Sequence, residues 1–145
     1  MNTNLDKRYQ TLVVLWIAMM MNIVVLLLVA LFVAPELSTA KESSILHFVL
    51  AALGTLMVVL SFAVKRKLLE RSVINQDVTL VQKALVVASA MCEIAAVMGL
   101  VERFTMKGND YYLLFFVALA GTALHFPRRE QLESATYKAS GGSNL

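Results

Sequence analysis

A single carboxylate, Glu93, stands in the middle of a helix-length apolar run, Ala84–Val101. Counted at the ~1.5 Å rise of a helix, Glu93 is ~15 Å from Lys83 and ~14 Å from Glu102, the nearest charges along the chain. A bilayer core is ~30 Å thick, so such a residue lies close to its midplane. A charge at that depth costs at least ~2.5 kcal/mol. Two chemistries answer that cost. The carboxyl can load and release a proton, or it can stay neutral and hydrogen-bond a polar partner on a neighbouring helix. Partners of the right depth exist in two other apolar runs. Asn22 is ~16 Å from Thr11, and Thr55 lies ten residues from both Ile45 and Lys65. Ser89, one turn before Glu93, is a partner from the same helix. The geometry expected is a clasp in which Glu93 reaches Asn22 or Thr55, directly or through one water, with Ser89 in reserve. It would fix helix register without transport.

The elements that must position these residues are membrane spans. The chain has 145 residues, 59% of them hydrophobic and only 16% charged, with a mean hydropathy of +0.70. A soluble domain carries more charge. The excess sits in four apolar stretches, which predict spans over 11–34, 44–64, 78–103 and 110–126 of a 1–126 transmembrane domain. A polar tail, 127–145, follows. The fold expected is all-α: an integral membrane four-helix bundle of two hairpins, with the first two helices as antiparallel neighbours. Pro35 ends the first helix and Lys65-Arg66-Lys67 the second. Lys65–Asp77 is amphipathic and predicts a helical extension or surface helix, with a turn at Asn75–Asp77. It would contact a partner or anionic lipid, or serve simply as a solvated connection. Asp77 is the expected N-cap of the third helix. Lys107–Asp110 is a turn signal, and the tail shows no apolar periodicity.

Charge sets the orientation. Ten of the thirteen Lys and Arg residues fall in 1–10, 65–83 and 127–145. Only Lys41, Arg103 and Lys107 fall in the alternate segments. Positive loops stay inside, which places both termini in the cytoplasm of a bacterial-type inner membrane. Ser38-Thr39-Ala40 is similar to a signal-peptidase site, but the apolar run before it exceeds the ~7–15 residues of a signal h-region, so an uncleaved anchor is expected.

Packing also leaves a signature. Ala84, Ala88, Cys92 and Ala96 recur every fourth position, joined by Gly99, and the fourth run offers Ala118 and Gly121. Small residues let helices approach closely in lipid. They predict a tight hairpin of the third and fourth helices.

The segment Ala90-Met-Cys-Glu93-Ile-Ala-Ala-Val-Met-Gly99-Leu-Val101 resembles the second helix of the rotor c subunit of F- and V-type ATP synthases. That helix carries an ion-binding carboxylate, with small residues before it and an aliphatic-Gly-aliphatic stretch after it. The resemblance implies that Glu93 is a reversible proton site. The preceding helix departs from the family's glycine repeat, having only Gly54. The loop reads Ile74-Asn75-Gln76-Asp77 instead of an Arg-Gln-Pro type.

Other chemistries find little footing. One cysteine, Cys92, excludes an intrachain disulfide and single-chain zinc or iron–sulfur sites. The methionines are core fillers. His47 and His125 lie at opposite ends of the spans and read as interfacial anchors, not as joint ligands of one haem. No nucleophile–base pair, phosphate loop or metalloprotease motif occurs, and topology accounts for the basic residues without nucleic acid. The expectation is a non-enzymatic membrane subunit or accessory protein without cofactors. Its partners would be the lipid bilayer and either other membrane subunits or further copies of itself. The alternative is a proton-translocating, c-subunit-like element.

Overall fold

The computed structural model describes residues 3–33, 44–105 and 110–136. Pro35, the signal-peptidase-like site at 38–40, residues 107–109 of the expected turn and the end of the tail lie outside them. The described residues form an all-helical chain of five helices: α1 (Thr3–Phe32), α2 (Ser44–Asn75), α3 (Val78–Thr105), α4 (Tyr111–Leu124) and α5 (Arg129–Thr136). Three of them, α1, α2 and α3, are long and apolar enough to cross a membrane. The fourth, α4, has 14 residues, or ~21 Å of helix, which is short of a ~30 Å core.

α2 runs through the basic cluster without a break, so Lys65–Asn75 continues the helix. Nothing in that stretch breaks a helix, since it lacks Pro and Gly. The helix ends where Gln76 adopts a left-handed φ of 51°. Asp77 N then donates to Ser72 O at 3.0 Å, and Gln76 N to Val73 O at 3.3 Å. This pair of bonds satisfies carbonyls that a helix end leaves open. Asp77 caps α3 through Thr79 N (2.9 Å) and Thr79 Oγ1 (2.7 Å), both donating to its Oδ1.

α3 is the central element. It packs on α1, α2, α4 and α5. α2 and α4 run antiparallel to it, whereas α1 runs parallel. Small residues make this possible. Ala84, Ala88, Cys92, Ala95, Ala96 and Gly99 are buried on α3, as are Ala118 and Gly121 on α4. A Cβ on Gly121 would lie 2.7 Å from Val58 and 3.0 Å from the Cys92 sulfur. One on Gly54 would lie 2.7 Å from Leu114. α2, α3 and α4 therefore meet at van der Waals distance.

The expected adjacency of α1 and α2 is not found, because among the described residues these helices do not approach one another. α1 lies against α3 and α4 instead. The eleven residues between α1 and α2 can reach ~36 Å, so their number did not force the two helices together. α5 is a helix that the reading of the tail lacked. Its buried Leu132 and Ala135, three residues apart, join Leu12, Val81 and Leu85 in a cluster beneath the bundle. An ion pair of Asp6 with Arg129 (2.8 Å) ties α5 to α1.

Candidate functional site

Glu93 faces α1. Asn22 Nδ2 donates to Glu93 Oε2 at 3.0 Å, across 71 residues of sequence. Asn22 is exposed and Glu93 half-buried, so the pair sits on the flank of the bundle and not in its centre. The parallel course of α1 and α3 brings the two residues to one depth. One turn to either side, Ala18 and Val25 on α1 and Ala90 and Val97 on α3 are exposed. The pair is therefore bordered by accessible small and aliphatic side chains.

Thr55 takes no part in the pair. It is exposed on α2, whose buried stripe runs through Leu50, Gly54, Val58, Ser61 and Lys65. Thr55 stands one residue off that stripe, on a helix that α3 separates from α1. Ser89 is buried, and its hydroxyl has no hydrogen-bond partner among the described residues.

Two further polar groups lie inside the bundle. At the α1 N-terminal end, Ser61 Oγ is 2.7 Å from His125 Nε2, 2.6 Å from the Val58 carbonyl and 3.6 Å from Cys92 Sγ. Lys65 Nζ donates to the His125 carbonyl at 3.0 Å. Trp16 Nε1 donates to the Thr122 carbonyl at 2.8 Å, and its ring meets Phe126 edge-on. At the opposite end, His47 Nδ1 pairs with the buried carboxylate of Glu102, and His47 Nε2 is 3.9 Å from Asp110. Arg103 stacks over Tyr111 and donates to the Ala30 carbonyl at 3.3 Å, capping the last turn of α1.

The buried His125 and the partly exposed His47 thus both bridge helices, where the sequence offered only interfacial anchors. The available signal was depth. Ser61 and His125 each lie within four residues of a boundary marker, Lys65 and Pro127 respectively. His47 lies near the start of α2 and Glu102 near the end of α3. Ser61 is fully buried, and the Ser61–His125 pair holds the end of α4 to α2. Among the described residues, no three His, Cys, Asp or Glu side chains converge as a metal-binding group. The arrangement offers one polar pair open at the flank and two polar locks between helices, one near each end. No protein-family model, curated protein or solved structure is significantly similar to the chain.

Proposed function

We propose that this chain is a non-enzymatic membrane subunit that presents the Asn22–Glu93 pair to a transmembrane helix of a partner subunit or a second copy. The carrying observation is the position of the pair on an accessible flank. A hydrogen-bonded carboxyl facing hydrocarbon is costly, and a covering helix removes that cost. Ala18 and Ala90 beside the pair would let that helix approach closely. In this reading α4 completes a fourth span with the help of flanking residues 110 and 125–126. The charge asymmetry supports cytoplasmic termini in a bacterial-type inner membrane.

A second reading uses the same accessibility. Glu93 could exchange a proton with a neighbouring subunit, in the manner that its resemblance to rotor c subunits implies. Asn22 suits either state, since its amide donates to a carboxylate and accepts from a carboxylic acid.

Photo-crosslinkers at Val97 and at Phe48, on different faces, test the first reading in intact membranes. Val97 is expected to capture a membrane helix and Phe48 only lipid. Equal capture at both positions would sink it. Glu93→Gln then separates the readings. It preserves the Val97 crosslink in both, but abolishes proton-coupled activity only if Glu93 carries protons.

A further inference from the structure

We propose that the groove between α2 and the α4–α5 connection binds the headgroup of an anionic phospholipid, an inference that rests on the membrane reading. The groove encloses about 420 Å³. Its wall has an apolar part, then a basic part, with Leu69 and Val73 lining it beyond the cations. Phe62, Leu124 and Phe126 form the apolar part and are exposed. Lys65, Arg66 and Arg128 form the basic part. The change falls where the apolar run of α2 meets its first cation, and where α4 ends. An amphiphile at the edge of a bilayer has the same order of chemistry, with acyl chain below and phosphate above.

The charges do not balance within the protein. Glu70 also lines the groove, but it is paired with Arg66 at 3.0 Å. Among the described residues no carboxylate lies within ion-pair distance of Lys65 or Arg128. Arg129, next in sequence, is already held by Asp6 and Glu133.

Lys65 is the stronger indication. It is only 9% exposed, and its ammonium has three protons. One goes to the His125 carbonyl. A buried cation needs a counter-charge or full hydrogen bonding. A phosphodiester seated between Lys65 and Arg128 supplies both. His125 also lines the groove, and its carbonyl holds the Lys65 ammonium there. The adjoining Phe62, Leu124 and Phe126 would carry the first methylenes of a chain, which inorganic phosphate lacks.

Native mass spectrometry of the full-length chain, extracted in detergent and titrated with equal amounts of phosphatidylglycerol and phosphatidylcholine, tests the site. Retention of phosphatidylglycerol over phosphatidylcholine is expected. Arg128→Gln is expected to lower that preference about fivefold, the effect of one basic residue near an anionic surface. Lys67→Gln is the control, because Lys67 is exposed and outside the groove, and it should leave the preference unchanged. Glycerol phosphate without acyl chains should not compete at equal concentration. Equal retention of the two lipids, equal losses in the two variants, or full competition by glycerol phosphate would each overturn the proposal. Those outcomes in a protein that still needs detergent for extraction overturn the headgroup site alone. Recovery of the chain in the soluble fraction without detergent overturns the membrane reading with it.

Discussion

α3 and α1 are both long apolar helices, yet they are buried to very different degrees. Ten residues of α3 are buried, whereas α1 buries only Leu12, Ile23 and Ala30 among its described residues. Composition explains the contrast. α3 carries alanines and a glycine on the faces that meet α2 and α4, so backbones approach and dispersion contacts accumulate. α1 carries Val, Leu, Ile and Met around most of its circumference and packs on α3 and α4 along one narrow face, through Leu12, Ile23 and Ala30. The inner unit is held by shape. The outer helix adds to its narrow apolar face a few directed polar contacts: Asn22–Glu93, Trp16–Thr122, Arg103–Ala30 and Asp6–Arg129.

The harshest test of this contrast is Gly121→Leu. Even a Cβ there collides with Val58 and Cys92, and Val58 is β-branched with little rotamer freedom. Overpacking costs ~1–3 kcal/mol or more. Unfolding in mixed micelles should show that loss, whereas Ile17→Leu on the exposed face of α1 should stay within ~0.5 kcal/mol. Similar losses at both positions would erase the distinction between the two regions.

A smaller effect is expected from Asn22→Leu. It removes the polar bond between α1 and α3 and leaves the inner three helices intact. Interhelical hydrogen bonds in membranes average ~0.6 kcal/mol. The signature is selective: cysteine crosslinking between α1 and α3 should weaken while that between α2 and α4 persists. Loosening of both pairs would mean that α1 is part of one cooperative core.

The smallest effect concerns the turn joining α2 to α3. Hydrogen bonds from Thr79 hold the Asp77 carboxyl below its usual range, with the positive charge of Lys83 a lesser contribution. A lowered folded-state pKa means that the cap stabilises above the ordinary aspartate value and loses this contribution as pH falls through the folded value. Asp77→Asn keeps a capping side chain without the titration. The stability advantage of the native protein over this variant should therefore shrink below about pH 4. A constant difference from pH 6 to pH 3 would dissociate the cap from its charge.

Helices and depths were legible in the sequence, but rotations were not. Residue counting set Asn22, Thr55 and Glu93 at one level, and the pair Asn22–Glu93 obeys that arithmetic. Thr55 fails because depth says nothing of azimuth, and Gly54 beside it takes the inward position. The extension of α2 and the Asp77 cap could be read because both are local. The Ser61–His125 and His47–Glu102 contacts join residues 64 and 55 positions apart, and no local pattern announces them. α5 escaped because its inward face is two residues, Leu132 and Ala135, in an eight-residue helix. That is too short for a period to show.

The separation of α1 from α2 bears on how the chain is made. α1 is made before α2, but every helix it touches is made after α2. Its amide at Asn22 must wait for Glu93, 71 residues downstream. At ribosomal rates of ~5–20 residues per second, the delay is about 4–14 s. On the membrane reading, α1 carries an unanswered polar group during that interval, open to any helix with a carboxyl at the same depth. The order of the genetic message thus gives a competing partner the first opportunity, and α3 closes it.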